Sequence, residues 1–148
     1  MSTIPDKYIR QAYITAINAE LSANYVTCAI FETEVPKDVI PIPATRMILS
    51  TQTKKQANTT KCGHDWNCTI LVDIISEQNQ GFSDKSITED LEELVNNAID
   101  ISPSDLLIPP FIVYNTQVLS SNDMGLETPT KTINRKVVRF QHILGLPG

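Results

Sequence analysis

The stretch "NCTILVDIIS", Asn67 to Ser76, decides how the rest of the chain is read. Ile70, Val72 and Ile74 alternate along one side, Leu71 and Ile75 along the other. Apolar residues on both sides of a short β-branched run predict an interior strand, covered on both faces. A sheet is therefore expected, and the flanking segments must be arranged around it.

Upstream, "TRMILSTQT", Thr45 to Thr53, and "YVTCAIF", Tyr25 to Phe31, predict two further strands. Between them "EVPKDVIPIP" carries Pro36, Pro41 and Pro43, which remove donors and fix backbone angles, so an irregular extended crossover is expected. Before these, Ile9, Tyr13, Ala16, Ile17 and Leu21 recur at the helical period. Thr3 is the expected N-cap of that helix, Pro5 sits in its first turn, and Asn24 is expected to close it in a left-handed conformation.

Downstream, Ser86 and Glu89 read as a capping box opening a second helix, with Ile87, Leu91, Leu94, Val95, Ala98 and Ile99 on its apolar stripe. Glu89, Asp90, Glu92 and Glu93 crowd its early turns, where the helix dipole favours negative charge. "DISPSDLLIPP" breaks that helix. Phe111–Ser120 and Ile133–Leu144 predict the last two strands. In the final one Val138, Phe140 and Leu144 share a face, and Arg135, Val137, Arg139 and Ile143 share the other. The order α-β-β-β-α-β-β predicts a single α+β domain over residues 1–148. It has two layers: a mainly antiparallel sheet of about four to five strands, with two helices on one face.

Two connections are longer than a hairpin needs. Residues 54–65 and 120–132 each span about a dozen positions, against the usual two to five. They are expected to be arms ordered by packing on another copy of the chain. The first carries Lys54, Lys55 and Lys61, with Trp66 at its base; the second carries Met124 and Leu126. These six residues are the candidate subunit interface.

Charge and motifs narrow the function. Twelve basic against seventeen acidic side chains give a net charge of -5, which argues against free nucleic-acid binding. "MSTIPDKYIR" lacks the apolar core of a signal peptide, and no apolar run approaches the roughly 20 residues of a membrane helix. Three cysteines cannot all pair within one chain, consistent with a reducing compartment. "KCGHDWNC", Lys61 to Cys68, offers Cys62, His64 and Cys68 as metal ligands, but a closed zinc site usually has four. The expected reading is a turn with Trp66 as an apolar anchor, and neither a metal nor a cofactor. There is no G-x-S-x-G, P-loop or H-E-x-x-H; Glu32 and Glu34 read as edge-strand charges and His142 as a strand residue. No enzyme is expected.

The whole pattern resembles the tail-terminator, or tail-completion, family of tailed bacteriophages. The likeness is carried by the helix "YIRQAYITAINAEL", the crossover "FETEVPKDVIPIP" and the hairpin from "RMILSTQT" to "NCTILVDIIS". The helix "SITEDLEELVNNAI" and the closing hairpin ending "NRKVVRFQHIL" complete it. The resemblance implies a virion protein made in the host cytoplasm, forming a homo-oligomeric ring of about six or twelve copies at the head–tail junction. Its implied partners are portal or connector and tail proteins, with DNA passing through the channel without sequence-specific binding and no membrane contact. An acidic channel wall would repel phosphate and let DNA slide.

Overall fold

The computed structural model describes residues 4–60, 63–79, 85–99 and 106–145; side chains are described at these positions except 57–60, 63 and 64. The elements are α1 (Asp6–Ala23), β1 (Ala29–Glu32), β2 (Thr45–Thr60), β3 (Gly63–Asn79), α2 (Ser86–Ile99), β4 (Ile112–Asp123), β5 (Leu126–Glu127) and β6 (Lys131–Gly145). They form an α+β fold in which a six-stranded sheet runs β1-β2-β3-β6-β4, with β5 added alongside β6. All pairings are antiparallel except β1 with β2, which the proline-marked crossover makes parallel.

Ile9, Tyr13, Ile17 and Leu21 stand four residues apart on α1 and are buried together. The helix starts differently from expectation: Pro5 occupies the N-cap and its carbonyl accepts from Ile9 N–H at 3.0 Å. Thr3, the expected cap, lies outside the described residues. Its end also differs. Asn24 keeps φ at -103°, and the left-handed residue is Tyr25, with φ 56°. Tyr25 N–H donates to Ser22 C=O at 3.3 Å and Val26 N–H to Leu21 C=O at 2.9 Å. That is the Schellman pattern, shifted one residue beyond Asn24.

On α2, Leu91, Leu94, Val95 and Ile99 are buried as the period predicts. Thr88 takes the buried place assigned to Ile87, and its hydroxyl donates to Lys85 C=O at 3.0 Å. Glu89 N–H also donates to Lys85 C=O, so Ser86 lies inside the first turn rather than before it. Both helices cover one face of the sheet: Met47 and Leu49 of β2, Ile70, Val72 and Ile74 of β3, and Val138, Phe140 and Leu144 of β6 are buried with them. The segment read as a mere helix breaker contributes to this core. Its Leu106 and Ile108 are buried, as is Phe111, the first residue of the expected strand, which meets Tyr8 edge to face with centroids 5.9 Å apart.

The two expected arms are not loops. β2 and β3 stay paired from Thr45↔Ser76 to Thr60↔Gly63, with bulges between Thr51 and Thr53 and between Gln56 and Asn58. β6 flanks β3 as far as Asp65↔Gly145, so most of residues 54–65 lie within the sheet. Residues 120–132 likewise comprise the end of β4, β5 and the start of β6, joined by a short turn. The physical reason is local. "TQTKKQANTT" is rich in threonine and long polar side chains, which suit an edge strand wet on both faces. Such a strand needs no apolar alternation, so the pattern that reveals a half-buried strand is missing.

Candidate assembly surface

The register sorts the sheet residues into two faces. Opposite the helices, one row joins Lys55, Asn67 and Ile143; the next in-phase rows join Thr53, Thr69 and Gln141, then Ser50, Leu71 and Arg139, then Ile48, Asp73 and Val137, then Arg46, Ile75 and Arg135. Glu77, Ile133 and Leu126 follow, and Lys131 pairs with Asn79 at the end. Among the described residues no helix covers this face, so the Asn67–Ser76 strand, expected to be covered on both faces, lies between two strands but is covered on one face alone, with Leu71 only half-buried. It alternates aliphatic and charged side chains, a mixture that neither a core nor an ordinary solvated surface needs.

Its charges are organised. Arg135 grips Asp73 with both ends of its guanidinium, Nε to Oδ1 at 2.8 Å and a terminal nitrogen to Oδ2 at 2.5 Å. That carboxylate lifts the Arg135 pKa further above its ordinary value, against the opposing effect of burial. Glu77 lies between Arg46 and Lys131, each 3.1 Å away. Burial works to raise the Glu77 pKa, but the hydrogen bonds and charges of Lys131 and Arg46 outweigh it and hold it below the usual carboxylate range. Arg139 donates to Gln52 Oε1 at 2.7 Å, and no carboxylate pairs with it or with exposed Lys55 among the described residues. Five basic groups (Arg46, Lys55, Lys131, Arg135 and Arg139) thus share the face with three carboxylates (Asp65, Asp73 and Glu77). An acidic protein carries a basic sheet face.

The residues singled out from sequence fall in different places. Lys55 and Leu126 lie on this open face, and Leu126 is 60% exposed. Met124 is exposed between β4 and β5, its N–H donating to Arg135 C=O at 2.7 Å. Lys54 points to the helix side instead and pairs with Asp6 of α1 at 2.9 Å. Trp66 also lies on the helix side, half-buried against its own chain's core. Lys61 lies outside the described residues. The expected interface set is therefore divided between two faces. The basic set was only half legible: Arg135 and Arg139 share a face of one strand, Lys131 joins them because β6 starts there rather than at Ile133, and Arg46 and Lys55 join solely through register.

The candidate metal ligands separate in the same way. Cys68 is 2% exposed on the helix face, and burial, followed by the charge of Asp6, pushes its thiol up to about 12. Cys28 is pushed up to about 11 by burial. Neither offers a thiolate at neutral pH. Cys62 and the His64 side chain lie outside what is described. Among the described residues no three His, Cys, Asp or Glu side chains come together as a metal site. His142 is more than a tolerated strand residue. It is fully buried, sharing hydrogen bonds with the Tyr13 hydroxyl through Nε2 and with Thr116 Oγ1 through Nδ1 at 3.1 Å. It thereby joins α1, β6 and β4. Desolvation lowers its pKa from 6.5 to about 4, so the imidazole is neutral there. Glu32 pairs with Arg10 of α1 at 3.7 Å, an edge-strand charge as expected.

One open groove of about 600 Å³ lies between α1 and the 106–109 segment, lined by Tyr8, Ala12, Thr15, Ala16, Leu106 and Pro109 among others. No carboxylate, histidine or cysteine is among its lining residues. No helix of the described residues is long and apolar enough to cross a membrane.

The fold is thus that of an α+β protein with a long sheet, one face covered by helices and the other open. No family model matches the chain, and no curated protein matches it. Among solved structures, it is similar to a chain in the virion of a native gene transfer agent particle. That chain shares 15% identity and a TM-score of 0.59, over 88% of this chain and 92% of the other. At that identity the likeness is one of fold.

Proposed function

We propose that this chain is a non-enzymatic structural subunit of a phage-like virion, a single domain that assembles into a closed homo-oligomeric ring at the head–tail junction. The observation that carries this reading is the match, over nearly the whole of both chains, to a chain of a gene transfer agent virion. The sequence resemblance to tail terminators supports the finer assignment, with six or twelve copies around the DNA path and portal or connector and tail proteins as axial neighbours. The open sheet face also suits assembly, because its half-buried aliphatic rows gain from being covered. Lys55, Met124 and Leu126 are exposed and lie at or beside that face, where a neighbouring copy would meet them.

Light scattering coupled to size-exclusion chromatography, with negative-stain imaging of the peak, tests the reading. Closed rings at high protein concentration are expected. A strict monomer holding one zinc per chain would instead favour a stand-alone module built on Cys62, His64 and Cys68. The burial of Cys68 on the helix face counts against that alternative.

A further inference from the structure

The basic sheet face has a counterpart on the opposite layer. On α2, Leu91, Leu94, Val95 and Ile99 face the core, which turns Glu89, Asp90 and Glu93 outward, all exposed. Glu92, the fourth acid of this helix, is engaged with Lys136 at 3.6 Å and with the Ser121 hydroxyl. The outward three have no ion-pair partner among the described residues. The open sheet face carries an excess of two positive charges, and the outer face of α2 carries three negative ones, of which Glu89 also acts on Lys136.

We propose that the open sheet face of one copy docks the outer face of α2 of a second copy, with Lys55 and Arg139 meeting Asp90 and Glu93. This rests on the ring reading and specifies its contact. The two surfaces lie on opposite layers, so the contact is head to tail. A docked pair is left with one free surface of each kind, one on each copy, the arrangement a closed ring requires. A second copy fits better than DNA. Ile48, Leu71, Val137 and Ile143 lie between the charges, and phosphate would leave these aliphatic rows uncovered. Two of the positive charges are also already neutralised by Asp73 and Glu77, and the chain as a whole is acidic. Because Lys55, Asp90 and Glu93 are exposed, these charges set orientation and partner choice, and association should weaken as salt rises.

The test is a charge swap in the full-length chain, read by sedimentation velocity at low and high salt. K55E/R139E reverses the sheet face, and D90K/E93K reverses the helix face. Each alone sets like charges against each other and is expected to lose at least about tenfold in association. Mixed in equal amounts, each variant finds a complementary partner, and association is expected to return. The neutral pair K55Q/R139Q should weaken association alone and, mixed with D90K/E93K, should stop at pairs joined by the one native contact, without growing further. Circular dichroism checks that each variant is folded. If the wild type assembles and folded swap variants assemble equally well alone, or fail to recover when mixed, this contact is wrong and the ring reading stands. A wild type that stays monomeric at every concentration and salt overturns both. If the sheet reversal abolishes binding to a duplex DNA probe while the helix reversal leaves assembly unchanged, the face belongs to DNA and the proposal fails.

Discussion

His142 is fully buried between two hydroxyls, and its two ring nitrogens are both occupied. A neutral imidazole donates through one nitrogen and accepts through the other, which satisfies both hydroxyl partners; an imidazolium can only donate. Its folded pKa is about 4 against 6.5 for the free side chain. Between those values the unfolded chain binds a proton that the native chain does not. Stability from this group is therefore complete above about pH 6.5 and is lost as pH falls toward 4, a loss on the order of 3 kcal/mol. The chain has two histidines, His64 and His142, so proton NMR can follow them separately. His142 is expected to titrate near 4; a midpoint near 6.5 would contradict the buried network. Tyr25 offers a second test at this scale. It is 97% exposed with φ 56°, in the position after the helix that glycine fills without strain. Tyr25→Gly should raise stability by about 0.5–1 kcal/mol in the isolated chain, measured by urea unfolding.

At the scale of the element, the long β2–β3 hairpin is the main departure from expectation. Beyond the Glu32↔Leu49 pair, β1 no longer covers the outer side of β2, so Ser50 to Thr60 form an open edge. Amides along Thr53–Gln56 are expected to alternate between protected and fast exchange, since every second one points away from β3. Amides at Asn67–Thr69 lie between β2 and β6 and should all be protected. Hydrogen exchange of the isolated chain followed by NMR decides this: uniformly fast exchange over both stretches would restore the picture of a loose arm. The edge carries Lys54 and Lys55, the kind of charge that keeps an exposed edge from pairing indiscriminately. The helices were more legible, because a buried stripe on a helix repeats over several turns and tolerates a one-residue shift. That is why Leu91, Leu94, Val95 and Ile99 were read correctly while Thr88 replaced Ile87.

At the scale of the whole molecule, a net charge of -5 hides a strong asymmetry. The net charge does not describe the sheet face, where Arg46, Lys55, Lys131, Arg135 and Arg139 gather. Which surface lines a channel is then a question of assembly, and the ring and charge-swap experiments belong to this scale. A closed ring needs two complementary surfaces on one chain, and the opposed basic and acidic faces provide a candidate pair.

The sequence alone determined the element order, the interior strand Asn67–Ser76 and the apolar stripes of both helices. Each is a local periodicity, and periodicity records which side chains must leave water. Tertiary structure decided what periodicity cannot carry. It placed Cys68 and His142 in the core, turned Lys54 and Lys55 to opposite faces, and brought five basic side chains from two strands, β2 and β6, onto one face. Those outcomes depend on register between strands up to about ninety residues apart, such as Arg46 and Arg135. Register is set by the fit of the whole sheet to its helices rather than by any single stretch.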